Sequence, residues 1–338
     1  MSENSPLPRA AIVGIAGSTL SAEERRLFAE TQPLGFILFA RNVIDKMQVK
    51  ALVDDLRSTV EHNAPILIDQ EGGRVQRLKP PVWRQAPPSK VFGDLAGRDI
   101  EAGRRAARLN ALLIGRELAE LGIDVDCAPV VDVPVDGAHD IIGDRAFSHS
   151  PSLVADLGRS VLDGFLAAGV VPMIKHIPGH GRARVDSHES LPVVEADAAT
   201  LERSDFIPFM ELADAPMAMT AHIVYTALDA KHPATLSSVV ITQLIRKSMG
   251  FKGFLVSDDL SMKALSGSFA EKTHAALQAG CDAVLHCNGR MDEMTEVLAA
   301  ATPLSHAGFE RLERAYAMLS VSDETASPAD LEALFANA

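Results

Sequence analysis

Short apolar, β-rich runs alternate with longer amphipathic stretches along the chain, and this alternation predicts parallel βα units. Eight runs bounded by turn residues read as strands: Ala11 to Ala16, Gly35 to Ala40, Pro65 to Asp69, Val125 to Val131, Val171 to His176, Pro216 to His222, Gly253 to Asp258 and Asp282 to His286. Helical patterns lie between them. Ser21 and Glu24 stand at capping-box spacing before Arg-Arg-Leu-Phe, and a long run rich in Ala, Leu and Arg ends at Gly122. Eight strands alternating with helices point to an α/β fold, a closed (β/α)8 TIM barrel rather than an open doubly wound sheet. No linker, low-complexity stretch or fixed-period repeat divides the chain, so residues 1–338 are expected to form a single domain.

Charge narrows the range of partners. Lys and Arg number 32 against 45 Asp and Glu, a formal charge of −13 with no basic tract, which disfavours nucleic acid and anionic membrane and leaves a small-molecule ligand. No apolar run reaches membrane-spanning length, and MSENSPLPRAAIVGIAG lacks a basic segment followed by a long apolar one, so a cytoplasmic protein is expected. Cys127, Cys281 and Cys287 are odd in number, irregularly spaced and set in apolar stretches, as suits reduced core thiols. No glycine-rich nucleotide motif follows the first strand, and no cofactor is expected.

Several strands end in charged or imidazole residues, and in a barrel those ends converge on one mouth. The densest such segment runs Lys175-His176-Ile-Pro-Gly-His180-Gly-Arg-Ala-Arg-Val-Asp186-Ser187-His188. Pro178, Gly179 and Gly181 forbid a regular helix there, so His176 and His180 do not share a helical face. A carboxylate two residues from an imidazole, as Asp186 is from His188, can fix the ring tautomer and leave the other nitrogen to exchange a proton. A second segment, Gly253-Phe-Leu-Val-Ser257-Asp258-Asp259, ends a hydrophobic strand in two adjacent acids. Strand alternation sends them to opposite faces, one toward the mouth and the other toward a helix N-terminus. In a third segment, Asp69-Gln-Glu71-Gly-Gly-Arg74-Val-Gln-Arg77, Asp69 and Arg77 are equipped to hold sugar hydroxyls; the plainer reading is a salt-bridged turn. A fourth, from Pro129-Val-Val-Asp132 to Asp144-Arg145, puts Arg145 on a long loop within reach of the same mouth.

Together these segments resemble glycoside hydrolase family 3, in particular its single-domain bacterial branch of β-N-acetylglucosaminidases of muropeptide and peptidoglycan recycling. The likeness runs through AGSTLSAEER, GFILFARNV, LIDQEGGRVQRL, CAPVVDV with GDRAF, the K-H-I-P-G-H-G-x4-D-S-H loop, MTAHIVY with PATLS, FLVSDDLSM and AGCDAVLHCN. The resemblance implies that Asp258, rather than Asp259, is the nucleophile, and that His188 is the general acid/base with Asp186 as its orienting partner. It further implies that Asp69, Arg77, Arg145, Lys175 and His176 hold a terminal N-acetylglucosamine. The implied substrate is β-linked N-acetylglucosamine on 1,6-anhydro-N-acetylmuramic acid, cleaved with retention by a cytoplasmic monomer. Retention requires the reacting groups to be close across the bond, roughly 5 Å for a carboxylate pair. The Gly/Pro-rich loop is expected to close over bound sugar. Two other readings carry different expectations: a metal-dependent hydrolase using His176, His180 and His188 as ligands, sensitive to chelators, and a non-catalytic sugar-binding barrel.

Overall fold

The computed structural model describes residues 7–336. Eight parallel strands close into a barrel. They are β1 (Arg9–Gly14), β2 (Pro33–Leu38), β3 (Ile66–Ile68), β4 (Val125–Asp126), β5 (Val171–Ile177), β6 (Met217–Thr220), β7 (Phe254–Asp259) and β8 (Ala283–His286). Each strand pairs with its neighbours in sequence, and β8 returns to β1 through Ala11 against Val284 and Val13 against His286. Helices wrap the outside, the longest being Ile100–Glu120 packed against Pro151–Ala168. A single α/β TIM barrel is thus the observed fold, as the alternation predicts.

Two apolar layers build it. Ile12, Leu67, Val125, Met173, Met219, Phe254 and Leu285 fill the barrel interior, while Val13, Phe36, Ile68, Ile174 and Leu255 face the helices. The period-2 alternation of strands puts consecutive residues into different layers, so the strand interiors are apolar on both faces while polar residues gather toward the C-terminal ends. The predicted capping box forms: Ser21 Oγ accepts from Glu24 N, Glu24 accepts from Ser21 N, and helix Ala22–Thr31 follows. Glu24 also accepts from Ala16 N, tying the helix start to the chain leaving β1. Helix Ile100–Glu120 stops where Gly122 adopts φ +77°, a left-handed conformation that favours glycine.

Strand bounds differ most at β4. The run Val125 to Val131 is a regular strand only to Asp126, because Pro129 has no N–H to donate. The chain nevertheless stays beside β5, with Val131 N donating to Lys175 O and Lys175 N to Pro129 O. Thr220 ends β6, and the residues beyond turn away into a two-stranded ribbon in which Val224–Tyr225 pairs with Val193–Val194. No helix among the described residues is long and apolar enough to cross a membrane.

Candidate active site

The C-terminal strand ends surround a cavity of about 350 Å³, within the usual range for a small-molecule site. Asp69, Arg77, Arg145, Lys175, His176, His188 and Asp258 all line it, and Asp186 stands behind His188. Segments almost two hundred residues apart thus meet at one mouth.

On one wall, charges alternate in a chain. Arg77 lies 3.0 Å from Asp69, Lys175 Nζ bridges Asp69 at 2.8 Å and Glu71 at 2.7 Å, and Arg145 grips both Glu71 oxygens at 2.8 and 2.9 Å. Lys175 and Glu71 are almost fully buried, with side chains 3% and 4% exposed. Burial pushes the two carboxyls up, but Lys175, Arg77 and Arg145 more than offset it, holding Asp69 well below the ordinary range and Glu71 at about 2. Burial likewise lowers Lys175, yet Asp69 and Glu71 raise it overall. Asp69, Glu71, Lys175 and Arg145 are therefore charged at neutral pH, and with the Arg77 guanidinium they line the cavity as three positive and two negative groups.

Lys175 and His176 are adjacent, yet both side chains reach the mouth. The β5–β6 register shifts between Lys175 and Ile177, which breaks the simple alternation of faces. His176 Nδ1 lies 2.8 Å from Asp132 Oδ2, and its ring meets His180 edge-on at 5.4 Å. His180 is buried, with Nε2 3.2 Å from Ser187 Oγ; burial and the neighbouring His176 lower it to about 4, so it is neutral at pH 7.

The loop after β5 is tethered along its length. His180 N donates to Asp132 Oδ1 at 2.6 Å, Tyr225 OH to Gly179 O, His139 N to Ala183 O and Ala264 N to Ser187 O. Arg182 reaches Asp205 at 2.6 Å. Gly181 passes so close to the loop after β4 that a Cβ there would meet Val133 O at 1.9 Å. Held by these ties, the loop places His188 on the lining of the cavity. Asp186 Oδ1 accepts from both His188 N and His188 Nδ1, each at 2.8 Å. Because Nδ1 is committed to the carboxylate, Nε2 is the nitrogen free for proton exchange.

At the end of β7, Asp258 is half-buried and lines the cavity. One of its oxygens accepts from Asp259 N at 2.8 Å; the other has no partner among the described residues. Burial raises its pKa, but His222, His176 and the Asp259 N–H together bring it below the ordinary value, keeping it ionised. His222 is itself held by Thr235 Oγ1 at 2.8 Å and by the Asp259 carbonyl at 3.0 Å. Asp259 departs from expectation. It also touches the cavity, and it caps a turn rather than a helix, accepting from Ser261 N, Ser261 Oγ and, at 3.0 Å, Cys287 N across on the chain leaving β8.

His176, His180 and His188 are separately engaged with Asp132, Ser187 and Asp186, and among the described residues no group of three His, Cys, Asp or Glu side chains is disposed to hold a metal ion. Among the described residues these three histidines therefore each have a different partner and are not gathered as one ligand set. Sequence reasoning missed Glu71, Asp132 and His222 as members of the site. Glu71 lay within a segment already singled out, but its partner Arg145 is 74 residues away.

Comparison with known proteins shows the family. The family model for the glycosyl hydrolase family 3 N-terminal domain matches residues 10–315. A β-hexosaminidase of Bordetella parapertussis is 36% identical over 313 residues, covering 91% of this chain and 88% of the relative. One from Chromobacterium violaceum is 37% identical, covering 91% and 87%. Among solved structures, NagZ from Neisseria gonorrhoeae in complex with N-trifluoroacetyl-D-glucosamine superposes with a TM-score of 0.87 at 31% identity, over 98% of this chain and 97% of that one. A family match over nearly the whole barrel, with relatives more than a third identical along nine-tenths of the chain, makes this chain a member of glycoside hydrolase family 3.

Proposed function

We propose that the whole chain, residues 1–338, acts as one catalytic domain, a retaining exo-β-N-acetylglucosaminidase of the β-N-acetylhexosaminidase class. It removes terminal β-linked N-acetylglucosamine from 1,6-anhydro-N-acetylmuramic acid in muropeptides, as a cytoplasmic monomer. The observation that carries the reading is the unpartnered oxygen of ionised Asp258 on the same cavity wall system as the His188–Asp186 dyad.

Asp258 attacks the anomeric carbon while protonated His188 gives its Nε2 proton to the departing glycosidic oxygen. The C–O bond to the aglycone breaks, a C–O bond to Asp258 forms, and neutral His188 remains. Water then enters, His188 takes its proton, the hydroxyl adds to the anomeric carbon and Asp258 leaves as carboxylate. Two inversions give net retention. Asp186 accepts from Nδ1 throughout and stabilises the imidazolium. Asp69, Arg77, Arg145, Lys175 and His176 hold the sugar hydroxyls; ion pairs among the first four and Glu71, and the contact of His176 with Asp132, fix them before substrate arrives, which reduces the ordering needed on binding.

The test compares hydrolysis of p-nitrophenyl β-N-acetylglucosaminide, the matching β-glucoside and the natural anhydro-disaccharide, with and without EDTA. The reading expects the N-acetyl substrates to be cleaved, the disaccharide among them, with no loss to chelation. EDTA-sensitive turnover would favour the metal-dependent reading, and binding without turnover the sugar-binding barrel. Sedimentation and cell fractionation check the monomeric state and location.

A further inference from the structure

We propose that Asp132 is a positioning residue for sugar recognition: it fixes the proton of His176 on Nδ1, so that Nε2 faces the sugar, and pins the loop that carries the acid/base dyad from the same carboxylate. The proposal rests on the reading of this cavity as a sugar site. Asp132 is completely buried and none of its three contacts is to solvent. Oδ2 meets His176 Nδ1 at 2.8 Å, while Oδ1 accepts the backbone N–H of His176 at 3.2 Å and of His180 at 2.6 Å.

The position of Asp132 is itself fixed. Val131 N donates to Lys175 O and Lys175 N to Pro129 O, so the irregular chain beyond β4 is locked beside β5 immediately before Asp132. Burial pushes the carboxyl up, yet the contacts with His176 and His180 bring it below its ordinary value. An ionised carboxylate only accepts hydrogen bonds, so His176 Nδ1 must be the donor. In the neutral ring Nε2 is then an acceptor, matched to the proton of a sugar hydroxyl, whereas neighbouring Lys175 is only a donor. Side by side, the two residues can hold one hydroxyl from both ends of its polarity.

Asp132→Asn separates this role from simple support. The two backbone N–H groups on Oδ1 keep the amide oxygen where Oδ1 is, so the amide NH2 falls against His176 Nδ1. The ring must then accept there and carry its proton on Nε2. Nitrogen NMR of the full-length protein at alkaline pH reads this directly, with the His176 signals assigned by their loss in His176→Ala. The native protein is expected to show protonated Nδ1 and bare Nε2, and Asp132→Asn the reverse. KM for p-nitrophenyl β-N-acetylglucosaminide is expected to rise about tenfold or more, with kcat changed only about threefold, the mark of lost ground-state binding. In a His176→Ala background the same substitution is expected to leave KM unchanged.

An unchanged tautomer in Asp132→Asn, or an additive effect in that background, overturns the proposal. If Asp132→Asn does not fold, the native protein decides alone: protonated Nε2, or N-acetylglucosamine shifting Nδ1 more than Nε2, overturns it, and the opposite pattern sustains it. Absence of any hydrolysis by the native enzyme would instead count against the glycosidase reading, leaving the tautomer result to stand by itself.

Discussion

Asp258 and Asp259 are neighbours on β7 held in different ways: Asp259 is bound through both oxygens by Ser261 and Cys287, while Asp258 takes one hydrogen bond, from Asp259 N, and turns its other oxygen to the cavity. Asp259 thus stabilises the strand end that presents Asp258. Asp258→Asn is expected to lower kcat by about 10⁴-fold or more, as removal of a covalent nucleophile does, with the fold retained. Asp259→Asn is expected to cost about 1–3 kcal/mol of stability through mismatched donors, with measurable turnover remaining. Steady-state kinetics beside thermal melts check the pair; equal loss of turnover in both contradicts the division of roles.

The His188–Asp186 dyad predicts a dependence on leaving group. His188→Ala is expected to slow cleavage of a sugar-linked substrate by about 10²–10⁴-fold, and to slow a dinitrophenyl glycoside, whose leaving oxygen needs no proton, far less in the first step. Asp186→Asn is expected to show the same pattern more weakly, because the imidazole survives without its orienting acceptor. A uniform loss across leaving groups contradicts acid catalysis by His188.

Stability is expected to fall in acid in two stages. His180 drops from an ordinary 6.5 to about 4 in the folded protein, so the unfolded chain binds more protons in that interval and stability declines as pH falls from 6.5 to 4. Glu71 drops from 4.5 to about 2, so its contribution is complete above 4.5 and is lost as pH falls toward 2. Melting temperature against pH checks this. His180→Gln is expected to flatten the upper stage while leaving the lower one, and a variant with an unaltered upper slope contradicts the assignment.

Much of the site could be read from the chain because the barrel brings all strand ends to one side. Asp69, Lys175, His176 and Asp258 each closed an apolar run, so their convergence followed from the topology. What could not be read was which groups they meet. Glu71 joins Lys175 and Arg145 through contacts that cross three strands, and Asp132 lies beyond the end of regular β4, where Pro129 breaks the pattern. The role of Asp259 was hidden for a similar reason: its partner Cys287 N lies just past the end of β8, the next strand of the closed sheet, and no local signal distinguishes that from a helix cap.

Close approach of two loops makes Gly181 a sensitive position. An added Cβ would strike Val133 O at 1.9 Å, so Gly181→Ala must displace either the loop bearing His188 or the one bearing Asp132. Lower kcat is expected with an intact sheet. Kinetics with far-UV circular dichroism check it; native kcat in the variant would contradict the tethered loop.

The most direct test of the central claim is peptide mapping by mass spectrometry after incubation with a fluorinated N-acetylglucosaminide whose second step is slow. The account predicts one glycosyl unit covalently attached at Asp258. An adduct at Asp259, or turnover of such substrates with no covalent intermediate and an inverted product, would contradict it.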